Sequence, residues 1–130
     1  MKAGRIDEAE SMCREALQTD PGDINFVSLL GSILSEKGEL EEAESLLTRA
    51  VKAAPGHPKA LEDLGTVLLN LNRADQAIPY LRRASELRPE HPPLLSKLSG
   101  AYSSIGMVSE AQKYRAKACL LYTSDAADEK

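Results

Sequence analysis

PGHPKALEDLGTVLLNLNRADQAIPYLRRASELRPEH, residues 55–91, holds one full period of a pattern that runs through this 130-residue chain. Its prolines, Pro55 and Pro89, stand 34 residues apart, and Pro21 extends the step backwards. Leu64 recurs as Leu30 and Leu98, and Gly65 as Gly31, with Ser99 third in that column. Ala77 belongs to the series Ala9, Ala43, Ala111, and Ala84 to the series Ala16, Ala50, Ala118. Self-similarity at one fixed period marks stacked repeats, each burying its apolar face only against its neighbours. Such an array implies a binding scaffold rather than a catalyst.

Within the quoted stretch Leu61, Leu64 and Leu68, then Ala77, Leu81 and Ala84, fall at three- and four-residue steps, so each set lines one face of a helix. The preceding unit repeats this with Val27, Leu30, Leu34, then Leu40, Ala43, Leu47, Ala50, and the following one with Leu95, Leu98, Tyr102, then Val108, Ala111, Ala118. Between the two helices lies Gly38, Asn72 or Gly106, with Gly4 in the same column, residue types that tolerate a left-handed backbone and end helices. The prolines between units stop each second helix. The spacing predicts a broken first helix, then helices over about 6–19, 24–37, 40–53, 58–71, 74–87, 92–105 and 108–121. The expected units are 24–57, 58–91 and an incomplete 92–118, preceded by 1–23 as the second half of a truncated unit. The fold class that follows is all-α: a right-handed superhelical solenoid of antiparallel helix pairs, without strands.

Three residues break local rules. A mid-helix glycine costs about 1 kcal/mol against alanine, so its return at Gly31 and Gly65 predicts close approach of the partner helix, opposite Ala43, Ala77 and Ala111. Pro79 removes a hydrogen bond to the Asp75 carbonyl and should bend its helix slightly.

Composition excludes several functions. The net charge of −4 and five aromatic residues give neither the basic footprint nor the stacking surface of a nucleic-acid binder. No apolar run approaches the ~20 residues of a membrane span, and MKAGRIDEAE is no signal peptide. Cys13 and Cys119, far apart, form no motif, so the chain reads as reduced and cytoplasmic. His57 and His91 occupy equivalent turns without further N, S or carboxylate donors nearby, and read as solvated turn residues rather than metal ligands. No nucleophile–base set and no phosphate loop appears. The chain is expected to be no enzyme and to hold no cofactor or metal.

The 34-residue period, Leu-Gly at 30–31 and 64–65, the alanine columns and the helix-ending prolines together resemble the tetratricopeptide repeat (TPR) family, over residues 1 to about 118. The family's large aromatic early in the first helix is replaced by Val27, Leu61 and Leu95. The resemblance implies that first helices line a concave surface that binds a protein or peptide segment. Carried over, the partner-binding strip comprises Asn25, Ser28, Ser32, Glu36, Lys59, Glu62, Asp63, Thr66, Asn70, Ser96, Lys97 and Ser103. The Lys/Asn/Arg set with which some members clamp a peptide carboxylate is absent here, since its columns read Ser28, Glu62, Ser96 and Ser32, Thr66, Gly100. Glu62 and Asp63 would repel a carboxylate. An asparagine ladder is missing too, its column reading Leu29, Asp63, Lys97. A second reading makes the array the targeting or regulatory arm of a larger bacterial enzyme such as a sulfotransferase, glycosyltransferase or hydroxylase.

Both ends depart from the pattern. Ile6, Met12 and Leu17 lie on a helix side with no partner helix, which should make the chain self-associate or fray. From Cys119 the columns stop, and Thr123 stands where earlier units carry proline. Residues 120–128 resemble the in-frame translation of a transposon-end sequencing adapter, so 119–130 is expected to be a non-native tail with few contacts beyond Tyr122.

Overall fold

The structure, a computed structural model, describes the backbone of residues 2–128 and the side chains of residues 4–121. Among the described residues every element is helical: α1 (Lys2–Thr19), α2 (Ile24–Glu36), α3 (Leu40–Ala53), α4 (Pro58–Asn70), α5 (Ala74–Leu87), α6 (Pro92–Ser104) and α7 (Val108–Asp128). Helix starts at 24, 58 and 92 keep the 34-residue step.

The first-helix ends close identically. Gly38, Asn72 and Gly106 take positive φ (84°, 62° and 84°). The amide after each donates back into the helix: Glu39 to the Leu34 carbonyl (2.8 Å), Arg73 to Leu68 (2.8 Å), Met107 to Tyr102 (2.9 Å). The positive-φ residues donate to Ser35, Leu69 and Ser103. This is the paired 6→1 and 5→2 closure that satisfies the last carbonyls of a helix. Gly4 does not join the series, because α1 runs unbroken from Lys2 to Thr19.

At the other end of these helices a side chain caps α2 and α4, whereas His91 makes no capping bond to α6. Asp23 accepts from the amides of Asn25 and Phe26, and His57 Nδ1 accepts from the Ala60 amide at 3.1 Å. Proline at the first helical turn of α4 and α6 suits the missing donor there. The second helices open instead on acids, Glu41 and Glu42, Asp75 and Glu110, which complement the helix dipole. α5 runs through Pro79 without interruption.

Each helix packs on its sequence neighbours, and among the described residues the closer backbone approaches beyond them are those of α2 to α4 and of α4 to α6, while α1 reaches α3 through the Arg14–Glu42 ion pair (3.1 Å). The backbones of the second helices stand farther apart, and α3 meets the start of α5 only through long side chains, Arg73 Nη1 donating to Glu44 at 2.9 Å. First helices standing closer together than second helices put the row α2, α4, α6 on the inside of the curve. The core is a continuous leucine and alanine spine: Leu34, Ala43, Leu47, Ala50, Leu61, Ala77, Leu81, Ala84 and Leu98 are fully buried.

The glycine column does mark close contact, but with a different partner from the expected alanines. A Cβ at Gly31 would lie 2.6 Å from Leu47 Cγ, and one at Gly65 2.6 Å from Leu81 Cγ and Cδ2. The leucine branch, one helical turn beyond each alanine, fills the space a side chain would need. In the last pair both members change together. Ser99 replaces glycine, Arg115 replaces leucine and is exposed, and Ser99 Oγ donates to the Ala111 carbonyl at 2.8 Å. A stacked pair, Tyr102 on Tyr114 with centroids 5.5 Å apart, adds contact between α6 and α7.

α7 overruns its expected end near 121 and reaches Asp128. With Thr123 in place of the stopping proline, and Ala126 and Ala127 as strong helix formers, nothing in the local sequence terminates it. The expectation of few contacts beyond Tyr122 concerns side chains outside the described residues.

Candidate functional site: the inner face of the first helices

Helical periodicity sets which residues of α2, α4 and α6 face inward. Those one and two residues before a core leucine, or two residues beyond it, share the strip between neighbouring first helices. The structure divides the twelve sequence-predicted residues into two groups. Ser28, Glu62 and Asp63 are buried in the seams between first helices. Asn25, Glu36, Lys59, Asn70, Ser96 and Ser103 are exposed, while Ser32, Thr66 and Lys97 are half-buried.

Two polar clusters hold the seams. Between α2 and α4, Asp63 Oδ2 accepts from Ser32 Oγ (2.7 Å) and Ser28 Oγ (3.2 Å). Its other oxygen lies 3.2 Å from Lys59 Nζ, one turn back on α4. Between α4 and α6, Lys97 Nζ donates to Glu62 Oε2 at 2.9 Å, and His91 Nε2 stands 3.6 Å from Oε1. Burial alone would raise the Glu62 pKa. The Lys97 hydrogen bond and the charges of Lys97, Lys59 and His91 outweigh it and hold the carboxyl below its ordinary range.

These contacts correct the expected roles. Glu62 lies in the seam and not in the cleft lining, and Asp63 lines the cleft as a paired rather than a free acid, each being matched by a lysine and further donors. His57 and His91 are half-buried rather than solvated: one caps α4 and the other adjoins Glu62. His91, at the equivalent position before Pro92, makes no such bond, so the cap at His57 could not be read from the repeat position. Among the described residues no group of three or more His, Cys, Asp or Glu is placed to hold a metal ion. No described helix is long and apolar enough to cross a membrane.

What remains open to a ligand is a cleft lined by Ser32, Ser35, Glu36, Lys59, Asp63, Thr66 and Lys97. It spans all three first helices and combines three hydroxyls with two lysines and two acids. The Thr66 hydroxyl donates to its own helix, at the Glu62 carbonyl, which leaves its oxygen free to accept. The outer side carries two clefts of larger volume, about 280 and 360 Å³ against 190 Å³ for the inner one, which meet at Pro79 and Tyr80.

The comparisons with known proteins agree with this architecture. The tetratricopeptide repeat model matches residues 1–64 and 34–81, and the chain belongs to that family. Among solved structures it is similar to MamA AMB-1, at 26% identity over 95% of this chain and 73% of that one, with a TM-score of 0.83. A second MamA structure, RS-1 in a double-mutant form, superposes with a TM-score of 0.87 at 20% identity, covering 95% of this chain and 70% of that one. YrrB, described as a TPR protein with an unusual peptide-binding site, shares 24% identity over 92% of this chain and 62% of its own, with a TM-score of 0.81. No protein in the curated sequence comparison matches the chain. The fold is thus an all-α TPR solenoid, and its class is that of protein–protein interaction scaffolds.

Proposed function

We propose that the chain is a non-catalytic scaffold that binds a peptide or protein segment on the inner face of α2, α4 and α6. The observation that carries this reading is the cleft across those three helices, whose hydroxyls and paired charges offer donors and acceptors in balance. Lys59 and Lys97 are matched by Asp63 and Glu62, so the cleft favours segments with uncharged polar side chains over free carboxylates or polyanions. Ser32, Lys59, Asp63, Thr66 and Lys97 would meet the ligand first, flanked by Asn25, Glu36, Asn70, Ser96 and Ser103, while Ser28 and Glu62 act from beneath by fixing the spacing of the helices. Panning a random 12-residue peptide library against the chain, followed by NMR mapping of a selected peptide, tests this. Shift changes should centre on Ser32, Thr66 and Ser96, and Thr66→Arg should weaken binding at least tenfold while Arg82→Glu on α5 leaves it unchanged. Selected peptides that map to α3 and α5 instead would overturn the reading.

A further inference from the structure

Three clefts on the outer side of the array share walls, one after the next. The first lies between α3 and α5, with the buried Leu64 and Leu68 at its base and the exposed Gln76 at its edge. It joins the second at Pro79 and Tyr80, on the back of α5, and the second joins the third at Arg82 and Glu86. The third opens between α5 and α7 onto Tyr114 and Lys117. Together they form one furrow that crosses α5 from side to side. The repeat supplies a reference for it. Arg14, in the column of Arg82, is held by Glu10 at 2.9 Å and by Glu42 at 3.1 Å, which bridges α1 to α3. The same three positions between α3 and α5 read Glu44, Thr48 and Gln76, so no such bridge closes the first cleft, and Glu44 turns to Arg73 instead. Among the described residues Arg82, Arg83 and Lys117 form no ion pair. Pro79 stands where the neighbouring units carry Ser45 and Lys113, and it forfeits a backbone hydrogen bond at an exposed position. Its ring buries nothing of the core; it joins the first two clefts.

We propose that this furrow binds an extended acidic segment of a partner protein, with one apolar side chain leading and carboxylates following. The order comes from the walls. The first cleft is apolar at its base, and Glu44 on its wall disfavours a carboxylate there. The second and third clefts set Arg82, Arg83 and Lys117 against Glu86 alone, an excess of positive charge that carboxylates would complement. A helix is about 10 Å across and an extended chain advances about 3.3 Å per residue, so about three residues carry the segment over α5. Acids about two to five residues after the apolar side chain therefore fall on the back of α5 and beyond it. A helical segment could not bend over α5 in so short a span. The furrow lies on the opposite side of the array from the inner cleft and needs nothing of what that cleft binds.

The probe is the unlabelled peptide GSLSDDSDGS, titrated into the chain and followed by NMR. Saturable shifts should appear at Tyr80, Arg83 and Lys117. Replacing the peptide's leucine by serine, or its aspartates by asparagine, should each weaken binding at least tenfold. Arg82→Glu and Arg83→Glu in the protein, both at exposed positions, should do the same. Thr66→Arg should leave this binding unchanged, so the furrow and the inner cleft can each fail alone. Absent saturation, equal affinity for the three peptides, or indifference to both arginine variants would overturn the proposal. A leucine-free peptide that binds as tightly would reduce the furrow to a patch of charge, and would overturn it too. So would a dimer in sedimentation that Arg82→Glu dissolves, which would give the furrow to a second copy.

Discussion

The seam between α2 and α4 and the seam between α4 and α6 use the same two repeat positions and close them with different chemistry. In both, a residue on one first helix meets the residue 35 positions later on the next: Ser28 with Asp63, and Glu62 with Lys97. The first is a hydroxyl donating to a carboxylate whose cation, Lys59, comes from the same helix one turn back. The second is an ion pair across the seam itself. The backbone geometry of the repeat demands a polar contact of fixed length there, but not a particular pair. What differs is where the compensating charge resides, and that decides how each seam responds to mutation and pH.

The largest effect should come from reversing the cross-seam charge. Lys97→Glu sets a second carboxylate beside Glu62, whose side chain is only 8% exposed, and should cost about 3–5 kcal/mol in urea unfolding. The double variant Glu62→Lys with Lys97→Glu should recover most of that loss, leaving mainly the altered contact with His91. Failure of the swap to recover stability would show that the two seams are not equivalent sites.

The same contrast between equal positions and unequal solutions appears inside the helix pairs. Gly65→Leu drives a side chain into Leu81 and should cost about 1–3 kcal/mol, after any gain in helix propensity. Ser99→Leu faces the Arg115 column instead and loses chiefly the hydrogen bond to the Ala111 carbonyl, so its cost should be smaller by about 1 kcal/mol. Equal denaturation midpoints for the two variants would contradict the pairing of glycine with leucine.

The pH response should separate the seams further. Glu62 is held below its ordinary range when folded, chiefly by Lys97 against the opposing effect of burial, whereas in the unfolded chain it titrates in the ordinary carboxylate range. A lowered folded pKa means that the stabilisation is fully present above the unfolded value and is lost as pH falls through the folded one. The wild-type chain should therefore lose stability on acidification in that window, and Lys97→Met should flatten that part of the profile. A wild-type and variant profile of the same steepness would remove Lys97 as the principal cause.

Much of this was legible in the chain because the deciding interactions are local. Gly38, Asn72 and Gly106 announce the helix ends through a backbone requirement that a single residue meets, and the alanine and leucine columns announce the spine. The partner of Gly31 was not legible, since a period names a column and not the side chain that reaches across to it. Leu47 gets there because its branch extends one turn further than Ala43. The inner strip was read correctly as polar, but the depth of Ser28, Glu62 and Asp63 was not. Whether an acid in a helix lies in a seam or on a surface depends on the distance between neighbouring helices, which no spacing within one helix encodes. The open end of α7 follows the same logic: a missing stop signal is visible, yet how far the helix then runs is set by the residues beyond it.

The smallest effect is expected at the first seam, where the charge pair is local and wet. Lys59 is 55% exposed and reaches Asp63 along its own helix, a geometry that contributes a few tenths of a kcal/mol and is screened by salt. Asp63 keeps the Ser32 and Ser28 hydroxyls when the lysine is lost, so its buried oxygen retains two donors. Lys59→Met should thus cost no more than about 0.5–1 kcal/mol, and its deficit should shrink in 0.5 M sodium chloride. Lys97→Met, by contrast, should keep most of its deficit in the same salt, because screening reaches a half-buried pair poorly. Measured side by side, the two lysine variants ask whether a seam draws its strength from the charge that crosses it or from the hydroxyls that fill it. Identical costs with identical salt dependence would mean that neither cluster matters beyond its packing.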